Sequence, residues 1–130
     1  MNWNERYSMD LRDFEKAWGN SLPSDPTFHS DGDTVKIGDQ RYPLIESYSA
    51  ELDTPSVGGK VHLPNGHQVS ITWAPGTYSE QETPFPRKAE IAHINTNGEF
   101  VKHPEFDGDE IGAYMSPNEV NKIIDRIKAL

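Results

Sequence analysis

Histidines, clustered carboxylates and one aromatic loop are the side chains in this sequence that could do chemistry, and their spacing decides which chemistry is open to them. Five histidines occur in the chain. His62 and His67 flank a turn in "VHLPNGHQV", and His93 and His103 sit in "AEIAHINTNGEFVKH". Imidazoles bind zinc only when several of their lone pairs converge on one point. With a two-residue type I′ turn at Asn97-Gly98, His93 opposes Lys102 and His103 opposes Ala92, so the two rings point to opposite faces of a hairpin. His62 and His67 meet the same difficulty, and no spacing matches a zinc pattern. Exposed strand histidines are expected, with no metal site.

"HPEFDGDEIG" packs Glu105, Asp107, Asp109 and Glu110 into six positions. Carboxylates so close could hold a hard cation or do acid–base work. The run lacks the ligand spacing of a calcium loop, so a solvated loop or a contact for a basic partner is expected instead. Asp31-Gly32-Asp33 is similar to the start of a calcium loop, but the remaining ligand positions are missing. No nucleophile elbow, local Ser-His-Asp arrangement or phosphate-cradling glycine loop occurs. Gly58-Gly59 in "VGGK" opens a strand rather than a helix and reads as a bulge or a site of close packing. No residue is assigned a catalytic role, and a non-enzymatic protein is expected.

The third feature is "SITWAPGTYSEQETPFPRK". Ile71 and Trp73 end a strand and point inward, after which the chain turns at Pro75-Gly76 and runs irregularly through residues 74–88. Connections of about 15 residues without structure of their own are uncommon and tend to carry function. Tyr78 and Phe85 either present a binding surface, being of the residue types that anchor interfaces, or fold back as a minor core. Arg87 and Lys88 close the loop with positive charge.

Hairpins and one helix must position these groups. Residues 8–18 read as a short helix with Ser8 as N-cap and Gly19-Asn20 as its stop, followed by a turn-rich linker over residues 19–33. From Thr34 the apolar period switches to two. "TVKIGDQRYPLIE" predicts a hairpin at Gly38-Asp39, with Pro43 confining the second strand to an edge or a bulge. In "SVGGKVHLPNGHQVSITW" a three-residue Pro64-Asn65-Gly66 loop sets Val61 against Val69. It thereby gathers Val61, Leu63, Val69, Ile71 and Trp73 on one face, which a two-residue turn would scramble. A third hairpin turns at Asn97-Gly98. "SPNEVNKIIDRIKAL" predicts a helix over residues 117–129, with Ser116 and Glu119 forming a capping box and Pro117 in its first turn. Val120, Ile123, Ile124 and Ile127 form its apolar stripe, while Asn121, Lys122, Asp125 and Arg126 face water. The expected architecture is α+β: an antiparallel sheet of about five to six strands over residues 34–104, packed on the C-terminal helix as one domain.

Totals narrow the function. Twenty-one acidic residues against twelve basic ones give a net charge of −9 over 130 residues. That field opposes direct binding to nucleic acid or anionic lipid and favours a basic partner. There is no cysteine, which removes thiolate nucleophiles, disulfides and thiolate-bound zinc. "MNWNERYSMD" lacks the apolar stretch of a secretory signal, and no run approaches the ~18 apolar residues that span a bilayer. A cytoplasmic location is expected.

The segments "VSITWAPGTYS", "AEIAHINTNGEFV" and "DEIGAYMSPNEVNKII" resemble, in that order, small uncharacterised bacteriophage-encoded accessory proteins, over about residues 61–130. The resemblance implies phage origin and an accessory role, and by analogy an inhibitor of host defence of the anti-CRISPR or anti-restriction kind. Such a protein would occlude a basic, nucleic-acid-binding host protein without a cofactor, through Tyr78, Phe85, Glu105, Asp107, Asp109, Glu110 and Tyr114. A second expectation is a sponge for a nucleotide signal, held by Trp73, Tyr78, Arg87 and Lys88. A third is an immunity-like or virion structural protein, and a homo-oligomer remains open to each.

Overall fold

The computed structural model describes residues 26–49 and 56–130. The helix expected over residues 8–18 lies outside them. The described residues build an antiparallel sheet of eight strands: β1 Phe28–Ser30, β2 Thr34–Ile37, β3 Gln40–Ser49, β4 Ser56–His62, β5 Gln68–Thr72, β6 Ala89–Ile94, β7 Phe100–Val101 and β8 Ile111–Met115. The first seven follow one another as a meander, and β8 returns to pair with β6. The helix Pro117–Lys128 closes the chain. The class is α+β, as expected, but eight strands replace five or six. The two unforeseen strands lie at the margins: β1 occupies part of the stretch read as linker, and β8 follows the acidic run.

Local sequence accounts for most of the pairing. Gly38, at φ 62°, and Asp39 make a two-residue turn that sets Ile37 against Gln40. Residues 40–43 pair with β2 and residues 44–49 with β4, so Pro43 stands where the ladder passes from one neighbour to the other. A register shift between Leu44 and Glu46 follows at once. Val61 faces Val69 as the three-residue loop requires. Gly58 and Gly59 lie in the same ladder, where a Cβ would fall 2.0 Å from the Ile71 carbonyl oxygen and 2.3 Å from that of Glu46, respectively. Only glycine permits the strands to approach and bend so closely.

The third hairpin differs from expectation by one residue. His93 pairs with Val101 and Ile94 with Phe100, because residues 96–98 form a three-residue loop closed by the Gly98 amide on the Asn95 carbonyl at 3.0 Å. Gly98, at φ 80°, takes the left-handed place in that loop. A slip of one residue exchanges the faces of the second strand relative to the first. Val101, and His103 two residues on, therefore fall on the side of His93, which alternation already sets with Ala89 and Ile91 on the inner face.

The core lies between the curled sheet and the helix. Phe28, Val35 and Ile37 come from the first strands, Leu63, Val69, Ile71 and Trp73 from the central hairpin, and Val120, Ile123, Ile124 and Ile127 from the helix. Ser116 caps the helix, its hydroxyl accepting from the Glu119 amide while Glu119 accepts from the Ser116 amide. Asn121, expected to face water, instead donates to the Ile37 carbonyl at 2.9 Å and accepts from the Tyr42 hydroxyl at 3.3 Å. At the other end Asn65 donates to the Ile127 carbonyl at 2.7 Å. Two amides thus pin the helix to β2 and to the β4–β5 turn.

Candidate functional site

The irregular residues 74–88 bridge two margins of the sheet. The Phe28 amide on β1 donates to the Pro86 carbonyl at 2.8 Å, and the Tyr114 amide on β8 donates to the Tyr78 carbonyl at 2.9 Å. Pro84 and Pro86 are buried, and His29 stacks on Phe85 with ring centroids 4.6 Å apart. The loop is pinned by its backbone and prolines, and its aromatic side chains are left outward. Tyr78 is 60% exposed and Phe85 37%, so they do not form a minor core.

Tyr114 completes the surface. It is 54% exposed and lies 6.4 Å from Tyr78, centroid to centroid. Its backbone sits at φ 52°, a left-handed conformation costly for a bulky side chain. The hydrogen bond to the Tyr78 carbonyl holds it there. Phe85 stands apart from this pair, against β1.

The acidic run forms the approach to β8. Pro104–Phe106 makes one 3₁₀ turn whose only buried residue is Phe106. Phe106 packs where Gly112 leaves room, since a Cβ on that glycine would lie 2.5 Å from its ring. Glu105, Asp107, Asp109 and Glu110 are exposed. Glu105 accepts an ion pair from Arg126 at 2.7 Å, and that hydrogen bond holds its carboxyl below the usual range. Glu110 and Tyr114 are four residues apart along the strand, about 13 Å by strand rise. The structure therefore brings Tyr78 and Tyr114 together and sets the carboxylates at the far end of the same strand.

The residues expected to hold a nucleotide do not converge. Trp73 is 2% exposed and packs on Phe28, so its face is closed to a ligand and that expectation is corrected. Its Nε1–H has no hydrogen-bond partner among the described residues. Arg87 pairs with Glu80 at 3.5 Å, and its amide donates to the same carboxylate, which offsets the positive charge expected there. An open polar hollow of about 400 Å³ lies instead beside the start of the helix, lined by Asp39, Gln40, Asn118, Asn121, Lys122 and Asp125.

The histidines give the largest correction. His67 Nδ1 lies 2.8 Å from His93 Nε2, and His93 Nδ1 lies 2.8 Å from His103 Nε2. His93 is 1% exposed; it is a core residue and not an exposed strand histidine. Burial first, then the neighbouring rings of His103 and His67, push its pKa down to about 4. Burial, with Arg126 nearby, also lowers that of His103. His103 Nδ1 stands 4.0 Å from Glu105 Oε2, so the row continues through a carboxylate to Arg126 on the helix. His93 turns a different nitrogen to each neighbour, so the three rings form a string and not a chelate. Among the described residues no group of three such side chains could hold a metal ion. The clue to this string lay in the alternation of Ala89, Ile91 and His93, which places the imidazole on an apolar face.

No helix among the described residues is long and apolar enough to cross a membrane. Comparison with protein families, curated proteins and solved structures finds no match.

Proposed function

We propose that this chain is a non-enzymatic binding protein, a phage-encoded inhibitor of a host defence system of the anti-CRISPR or anti-restriction kind. It acts by covering a basic, nucleic-acid-binding surface of a cytoplasmic host protein. The observation that carries the reading is the outward Tyr78–Tyr114 pair, with Tyr114 held at φ 52°. Exposed tyrosines next to each other are interface anchors by type, and a strained backbone is retained where it positions a functional side chain. The carboxylates of residues 105–110 supply the complement to a basic partner, and the net charge of −9 steers its approach. The phage assignment rests on the resemblance of the segments from Val69 onward.

Affinity purification from host lysate, run with the wild type and with Tyr78→Ser/Tyr114→Ser, tests this. A defence or nucleic-acid-handling protein retained by the wild type and lost by the double variant is expected. Equal recovery by both proteins, or no such protein with either, contradicts the reading. A thermal-shift series with cyclic and linear nucleotides tests the sponge alternative, which requires a shift for at least one of them.

A further inference from the structure

The histidine string belongs to neither the tyrosine pair nor the carboxylate surface, and its proton count is constrained by geometry. Each of its two 2.8 Å contacts needs one N–H facing one lone pair. The four inward nitrogens must therefore share two protons. Three neutral rings carry three N–H groups, two inward and one on an outer nitrogen, either His67 Nε2 or His103 Nδ1. The Glu105 carboxylate, 4.0 Å from His103 Nδ1, favours the proton there. Polarity then runs one way: His67 Nδ1–H to His93, and His93 Nδ1–H to His103. His67, half-buried, is left with a bare Nε2. A first added proton fits at that atom without disturbing either contact. A second has no outer nitrogen left, so one contact becomes N–H against N–H and must part.

We infer that the His67–His93–His103 string is a two-proton latch: it holds the acidic loop of residues 103–110 against the sheet while it bears at most one added proton, and frees that loop when it binds a second. The groups facing the string are few. His67 comes from the turn before β5, His103 and Glu105 from the loop after β7, and Arg126 from the helix. Both His103 and Arg126 would be positive once the second proton arrives, which adds repulsion on the loop side. Arg126 holds the Glu105 carboxyl below its usual range, so their ion pair is an anchor of the loop separate from the string. When the string parts, Phe106 and the Glu105–Arg126 pair are the anchors left to the loop among the described residues.

Amide hydrogen exchange of the wild type, corrected for intrinsic rates, reads the latch directly. The Phe106, Gly108 and Asp109 amides are bonded within the loop, and those of Ile123 and Ile124 lie in the helix. Loop protection is expected to fall about tenfold relative to the helix between pH 6.5 and 4.5, with a slope steeper than one proton. Parallel behaviour of loop and helix overturns the inference. In His103→Gln, whose amide makes the contact but takes no proton, loop protection should be level across that range; the same fall in this variant also overturns it. Ring ¹⁵N shifts of the wild type decide independently of any variant. A linked titration with His93 neutral to the lowest pH is expected, and three independent rings titrating near pH 6.5 contradict the latch.

Discussion

At the scale of single residues, the energetic weight falls on groups held in unfavourable states by their surroundings. His93 is the clearest. Its folded pKa of about 4 lies below the ordinary value near 6.5, so the unfolded chain takes up a proton more readily. The stability this neutral ring contributes is complete above about pH 6.5 and is lost as pH falls toward 4, a total of roughly 3 kcal/mol. Urea unfolding at pH 7 and at pH 4.5 should show that loss, whereas equal midpoints would refute it. Glu105, whose carboxyl Arg126 holds low, acts in the same direction at more acidic pH. Tyr114 is the second case. Replacing it with glycine relieves a left-handed backbone that costs about 1 kcal/mol, so Tyr114→Gly should melt no lower than the wild type while binding the partner more weakly. A clear drop in melting temperature would show that the φ of 52° is not strained.

At the scale of elements, the C-terminal helix and the glycine ladder are the joints of the fold. Ser116→Ala removes a complete capping box and should lower stability by about 1 kcal/mol, against about 2–5 kcal/mol for Ile124→Ala, which opens a cavity in the core. Denaturant titration ranks the two, and the reverse order would contradict the packing described. Gly58→Ala should abolish folding, since no rearrangement of a side chain frees the Ile71 carbonyl 2.0 Å away; a native circular-dichroism spectrum from that variant would contradict the ladder. These joints were readable from the sequence because turn chemistry and an apolar period agreed there. The register of the Pro64-Asn65-Gly66 hairpin followed from requiring five apolar side chains on one face. At Asn97-Gly98 that requirement does not choose, because the three-residue loop sets Val101 on the side of Ala89 and Ile91 and a two-residue turn would set Phe100 there. The Asn-Gly pair serves either turn and both candidate side chains are apolar, so the register was not legible, while the burial of His93 was hidden by its polarity. β1 and β8 were not legible because Phe28–Ser30 is short and lies among prolines and turn residues, while Ile111–Met115 carries a glycine and follows four carboxylates. Both depend on distant partners, including the loop of residues 74–88, which no local pattern reveals.

At the scale of the whole molecule, charge and shape act together. The sheet curls around its helix, residues 74–88 bridge β1 and β8, and the tyrosine pair and carboxylates flank one strand on the outside. If the chain binds a basic partner as proposed, its net charge of −9 makes association slow as salt rises, while the tyrosines would act mainly on how long the complex lasts. Stopped-flow association at 50 and 300 mM salt should show the first effect, and a rate indifferent to salt would contradict it. Adhesion through the surface beside β8 is the output proposed for this fold. Its most direct measurement is the Kd of the captured host protein for the wild type and for Tyr78→Ser/Tyr114→Ser, with melting curves of both. A Kd raised about 100-fold with an unchanged melting temperature is expected; equal affinity of two equally folded proteins would contradict adhesion through this surface.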